Sequence, residues 1–131
     1  MSAAPSSPPI SEHEAEQLER AGASDRPLVV FVHGLWLLPS SWDRWTALFE
    51  EAGYTALTPG WPDDPDTVEE ANANPEVFAH KSLGDIAEHI DGFVRRLNTK
   101  PAVIGHSFGG LLTQIVAGRG LSAVSLSLIH I

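Results

Sequence analysis

The sequence contains no cysteine. That absence removes disulfide cross-links, thiolate nucleophiles and Cys-based zinc sites, and it fits a reducing compartment, with the cytoplasm as the expected location. Basic residues are scarce: 8 Lys and Arg stand against 17 Asp and Glu, giving a formal net charge of -9. A surface of that sign repels a phosphate backbone and no basic stripe offsets it, so nucleic acid is not an expected partner. Long apolar runs are missing too. No stretch approaches the roughly eighteen residues of a membrane span, and Met1 to Pro9 has neither the basic nor the apolar region of a secretory leader. What is present, 131 residues of which 43% are apolar and 8% aromatic, suffices for one globular domain with a core.

Met1 to Arg26 opens on a Ser/Ala/Pro tract and continues through Glu12, Glu14, Glu16 and Glu19, a composition that predicts a flexible tail with at most one short helix. The domain is expected from residue 27 to 131. Leu28-Val29-Val30-Phe31-Val32, ending in His33-Gly34, has the continuous apolar character of a strand buried on both faces. Trp42, Trp45, Phe49 and Ala52 recur at helical spacing after Ser40 or Ser41 as N-cap, with Gly53 as the stop. Tyr54 to Thr58 predicts a second strand, closed by Pro59-Gly60, and the Pro-, Asp- and Asn-rich stretch from Trp61 to His80 predicts a long loop, helical in places. Ile86, Ile90, Phe93, Val94 and Leu97 mark an amphipathic helix with Asp85, Glu88, Asp91, Arg95 and Arg96 on its wet side. Ala102-Val103-Ile104 is a third strand, Leu111 to Ala117 a third helix, and Ala123 to Ile129 a final apolar segment. Strands alternating with helices in this way predict an α/β fold, a mainly parallel sheet with helices on both faces.

Gly105-His106-Ser107-Phe108-Gly109 matches G-x-S-x-G and falls between a predicted strand and a predicted helix, the context that motif requires. A nucleophile on so sharp a turn has a strained backbone, and small residues two before and two after it avoid collision there. Ser107 is therefore the candidate nucleophile, with Gly105, Gly109 and Gly110 as structural residues of the turn. The alternative is a glycine-rich turn carrying a passive serine. Acyl transfer needs two N-H donors aimed at the oxyanion. Phe108 supplies one in this reading, and Leu35, with Trp36 next in line, supplies the other from a loop that Gly34 allows to approach the serine. His33 is expected to be a buried histidine bonding loop backbone, and His106 to be packed rather than catalytic. Trp36 and Trp61, with the loop as far as Phe78, are expected to shape the substrate space. Asp66 and His80 are weaker candidates for the same crevice, and no carboxylate-histidine cluster has the spacing of a metal site.

Val30-Phe31-Val32-His33-Gly34-Leu35, Trp42, Leu57-Thr58-Pro59 and Val103 to Gly110 together resemble the oxyanion strand, first helix, next strand and nucleophile elbow of the α/β-hydrolase superfamily, in its serine-nucleophile group of esterases, lipases and cofactor-free haloperoxidases. The resemblance implies hydrolysis of a small-molecule carboxylic ester or related acyl bond through a Ser107 acyl-enzyme, without metal or organic cofactor. Serine at 107 departs from the aspartate of haloalkane dehalogenases and epoxide hydrolases. Family order puts the triad acid and then the histidine after the serine. Only 24 residues follow Ser107, none acidic, with His130 the one histidine. The expectation is thus an incomplete α/β-hydrolase fold, inactive by itself, with an unpaired last strand and a partly uncovered sheet face. No hairpin precedes Leu28, and Ser125 to Ile131 resembles a translated adapter or frame-shifted end. Competing readings are a non-catalytic ligand-binding protein on the same fold, or a fragment with no function of its own; the sequence leaves oligomeric state open.

Overall fold

Strand β1 (Leu28–Val32) is buried along its whole length, as an apolar run without alternation requires. In the computed structural model, which describes residues 10–34, 37–62, 68–73 and 82–128, β1 lies at the centre of a four-stranded parallel sheet. Its partners are β2 (Thr55–Leu57) on one side and β3 (Ala102–His106) on the other, with β4 (Val124–Leu128) beyond β3. The order β2-β1-β3-β4 means that the chain first builds outward from β1 to β2, then returns across β1 to lay down β3 and β4. The reversal falls between the carboxyl ends of β1 and β3, where an open α/β sheet has its crevice. β4 forms as the alternation predicts, and Ser125 to Leu128, whose sequence resembles an extraneous end, pairs residue for residue with Val103 to His106.

Helices cover both faces. Val30, Val32, Leu57 and Val103 pack against Ile90 and Phe93 of α4 (Leu83–Arg95) and Leu112 and Val116 of α5 (Phe108–Gly118). On the opposite face Val29, Phe31, Ala56 and Ile104 meet Trp42 and Phe49, the ring of Phe31 lying 4.9 Å from Trp42 and 5.2 Å from Phe49. A buried aromatic of this kind contributes about 3–5 kcal/mol when lost to alanine. Helix α2 (Asp43–Glu51) starts later than expected. Pro39 opens a 3-10 turn, Pro39–Trp42, so Ser40 and Ser41 lie inside that turn and Trp42 occupies the N-cap position without a side-chain bond. Gly53 ends α2 at φ +104°, a conformation that favours glycine. Of the long loop, α3 (Val68–Ala73) is described. Asp91, expected on the wet side of α4, is instead buried, because Arg119 at the end of α5 reaches across to pair with it.

From Ser11 onward the segment expected as a tail forms a helix. Helix α1 (Glu12–Gly22) begins with a complete capping box, Ser11 Oγ accepting from Glu14 N-H while the Glu14 carboxylate accepts from Ser11 N-H. It is docked by side chains that satisfy the outer edge of β2. Arg20 donates to the carbonyl of Ala56 at 2.6 Å, Glu50 of α2 accepts from Ala56 N-H at 3.0 Å, and the Gln17 amide bonds both the N-H and the carbonyl of Thr58. These bonds blunt an edge that would otherwise offer itself to another strand. Among the described residues no such cover lies on the other edge, where Val124 is 63% and Leu126 49% exposed.

Glu14 is the deepest anchor of α1. Burial raises the pKa of its carboxyl, but the hydrogen bond from His89 and those from the N-H groups of Ser11 and Gly60 outweigh it and hold the group below its ordinary value. A depressed carboxyl stabilises the fold above its unfolded pKa and loses that contribution as pH falls through the folded one. The urea midpoint of the protein should therefore exceed that of Glu14→Gln at neutral pH, and the difference should shrink as pH drops below about 4.3. A constant difference across that range would exclude the linkage.

Candidate active site

Ser107 joins β3 to α5 with φ 59° and ψ -123°, and among the described residues it is the only non-glycine at positive φ. Such a backbone costs on the order of 1–3 kcal/mol and persists only where the surroundings impose it. Here they do so from both sides. Ser107 N-H donates to the Leu128 carbonyl at 2.8 Å, and the Ser107 carbonyl accepts from Gly110 N-H at 2.9 Å, closing the first turn of α5. A methyl group on Gly105 would stand 2.1 Å from both the Gly109 carbonyl oxygen and Thr113 Oγ1. One on Gly109 would stand 2.2 Å from the Val32 carbonyl oxygen and 2.6 Å from that of His33. Both glycines are steric necessities: the first lets α5 fold back on β3, the second lets it rest on β1.

Gly34 completes the approach. A Cβ there would lie 3.1 Å from Ser107 Cβ and 3.6 Å from its Oγ, so the loop leaving β1 runs beside the serine. Ser107 is exposed, at the mouth of the crevice. Phe108 opens α5, and as the first helical residue it has an N-H without an intrahelical carbonyl. Leu35 and Trp36, the expected second donor and its neighbour, lie outside the described residues, as do Asp66, Phe78, His80 and His130.

The surroundings of the serine differ from expectation at His106. Trp61, expected to line the substrate space, is only 6% exposed and stands behind the serine turn, stacked on His33 at 5.2 Å with 18° between the rings and 5.5 Å from Phe108. It follows directly on Gly60, whose N-H donates to the Glu14 carboxylate at 3.0 Å. His33 is buried, its Nδ1-H donating to the Gly34 carbonyl at 2.8 Å, consistent with a histidine that orders loop backbone. His106 is not packed. It is exposed where β3 outruns β1, and it lines an open cleft of about 280 Å³ on the α2 face with Leu37, Trp42, Trp45 and Leu128.

Two residues of this neighbourhood escape the sequence reading. Glu14 and His89 are each 2% exposed and joined by hydrogen bonds of 2.9 and 3.1 Å from His89 Nε2-H to the carboxylate oxygens. The signal for Glu14 is present in Ser11-x-x-Glu14, followed at helical spacing by Gln17 and Ala21, which are also buried. His89 carries none beyond its place beside Ile86 and Ile90. Among the described residues no group of three His, Asp or Glu side chains is arranged to hold a metal, and no helix is long and apolar enough to cross a membrane.

From residue 29 to 129 the sequence matches the model of the alpha/beta hydrolase family. The chain belongs to that family. Comparison with curated proteins finds no match. Solved structures with the same fold include an extracellular alpha/beta-hydrolase from a Paenibacillus species, at TM-score 0.56 and 21% identity over 71% of this chain and 35% of that one. A thioesterase domain from the curacin biosynthetic pathway matches at TM-score 0.60 and 18% identity, over 76% of this chain and 36% of its own. Polyneuridine aldehyde esterase matches at 0.54 and 21%, over 77% and 39%. The chain thus spans little more than a third of the length of each of these structures.

The glycine contacts make a direct prediction. Gly105→Ala and Gly109→Ala should each destabilise the protein by about 1–3 kcal/mol or more, since the added methyl meets backbone that cannot yield. Gly118→Ala, on an open helix position, should be neutral or stabilising by up to about 1 kcal/mol. Thermal denaturation of the three variants measures this, and equal effects at all three positions would contradict it.

Proposed function

We propose that Ser107 is the nucleophile of an acyl hydrolase acting on a carboxylic ester or related acyl bond of a small molecule. The observation that carries this reading is the strained, exposed backbone of Ser107 at a strand-to-helix turn, pressed against Gly34 at the point where the strand order reverses. Structural serines do not need such a conformation. In the reaction, Ser107 Oγ attacks the acyl carbonyl, a base takes the hydroxyl proton, and the carbonyl oxygen becomes an oxyanion facing the N-H groups of Phe108 and Leu35. On collapse the protonated base returns its proton to the departing oxygen or sulfur, releasing the alcohol or thiol and leaving the acyl-serine; water, giving its proton to the same base, then attacks that ester, and the proton passes to Ser107 Oγ as the acid leaves. The positive end of α5 favours the developing charge. The acid and histidine of the triad belong, in this proposal, to chain beyond residue 131, in keeping with a span of about a third of the structural neighbours.

The test compares this 131-residue chain with the product of its full open reading frame on a p-nitrophenyl ester, each beside Ser107→Ala. The full product should hydrolyse the ester and lose activity by about 10⁶-fold on Ser107→Ala. The short chain should retain at most about 10³- to 10⁴-fold over water, from the oxyanion donors alone. Full activity surviving Ser107→Ala would remove the nucleophile assignment. Ser107-dependent turnover by the short chain at the full product's rate would show that the base lies within these 131 residues.

A further inference from the structure

We infer that Glu14 is a positioning residue for the active site, holding the indole of Trp61 in place behind Ser107 from helix α1. A capping box does not require burial, as the second one shows: Ser82 and Asp85 cap α4 while exposed. Glu14 performs the same capping and is nonetheless buried, with its second oxygen accepting from Gly60 N-H at 3.0 Å and both oxygens in contact with His89. One turn on, Gln17 takes both backbone groups of Thr58. α1 therefore grips residues 58 to 60 at two points, and the next residue is Trp61. The indole touches the two residues that flank the serine site, His33 immediately before Gly34 and Phe108 immediately after Ser107. A route of direct contacts runs from Glu14 through Gly60 and Trp61 to Phe108, whose N-H is one proposed oxyanion donor, and to His33 at the end of β1. The catalytic consequence rests on the serine reading above, whereas the placement of Trp61 does not.

If Glu14 sets the position of Trp61, loss of its acceptor shifts the indole and disturbs the donor at Phe108, an effect on the transition state rather than on ground-state binding. In the full open-reading-frame product, Glu14→Ala should lower kcat by about 10- to 100-fold with KM little changed. Glu14→Gln, which keeps an acceptor for Gly60 N-H, should restore most of it. Two-dimensional NMR of the ¹⁵N-labelled 131-residue chain tests the placement independently of catalysis, the Trp61 indole being assigned with Trp61→Phe. Glu14→Ala should move the Trp61 indole resonance and remove its cross-peaks to the His33 and Phe108 rings, leaving the Trp42 and Trp45 indoles in place. Ser11→Ala, which breaks the capping box and spares the Gly60 contact, should leave Trp61 unmoved. A folded Glu14→Ala variant with an unchanged Trp61 spectrum overturns the inference, as does an equal response to Ser11→Ala. Should Glu14→Ala not fold, hydrogen exchange in the unaltered chain decides the matter. The Gly60 amide should open together with the amides of Ala15 to Ala21, and unprotected exchange at Gly60 beside a protected α1 overturns the proposal. Failure of Ser107→Ala to abolish hydrolysis would strike the proposed reaction while leaving these spectra intact.

Discussion

Backbone rests directly on backbone where α5 crosses the end of β1, and position 109 can carry no side chain there. The nearest carbonyl, that of Val32, lies 2.2 Å from where a Cβ would be. This contact sets the height of α5 over the sheet, and Gly105 sets its distance from β3. Between two fixed points the connecting residue has no freedom to relax, which is how Ser107 comes to hold a positive φ that a free serine would abandon. The strain is thus a consequence of packing in the sheet centre. Its cost is small beside the burial of Val30, Val32, Val103, Leu112 and Val116, which together hold strand and helix in register.

The two edges of the sheet meet the same physical problem with opposite outcomes. At β2, the N-H and carbonyl of Ala56 are taken by Glu50 and Arg20, and both backbone groups of Thr58 by Gln17, so side chains from α2 and α1 occupy the place another strand would fill. The exposed Arg20–Glu50 ion pair adds little in itself; the backbone bonds it organises matter more, since unsatisfied edge groups invite pairing with other chains. At β4 the apolar side chains of Val124 and Leu126 face solvent, and Trp45 and Leu48 of α2 are exposed as well. Apolar surface of that kind favours association.

What the sequence reveals follows from how local each signal is. β1 is legible because burial on both faces leaves an unbroken apolar run, and the serine turn because its glycines sit at fixed places within five residues. α4 is legible by its period, yet Asp91 is misplaced, because its partner Arg119 lies 28 residues away and no local pattern announces it. α1 fails for a related reason. Its buried face consists of Glu14, Gln17 and Ala21, and a helix that docks by hydrogen-bonding the edge of a sheet has no apolar stripe to read. Trp61 is placed near the site from its position after β2, but its inward turn depends on a bond from residue 14. His106 goes the other way: a histidine between strand and serine looks packed until β3 is seen to outrun β1.

The Glu14–His89 pair has the composition of an acid-histidine dyad, and its surroundings argue against its serving as one. A general base must come within hydrogen-bonding reach of the hydroxyl it activates. His89 is sealed in the core, its Nε2 engaged by Glu14 and its Nδ1 buried with no hydrogen-bond partner among the described residues, whereas Ser107 opens to solvent. A catalytic histidine offers one nitrogen to its acid and the other to the nucleophile; His89 offers its second nitrogen to no such group. The same features suit an anchor. A buried carboxylate that also holds Gly60 stays fixed only if its charge is met, and His89 Nε2-H meets it alongside the Ser11 and Gly60 amides. Removing the histidine would leave Glu14 short of a donor in the core, so the pair stabilises α1 as a unit and neither member is free to take up a proton-transfer role at the serine.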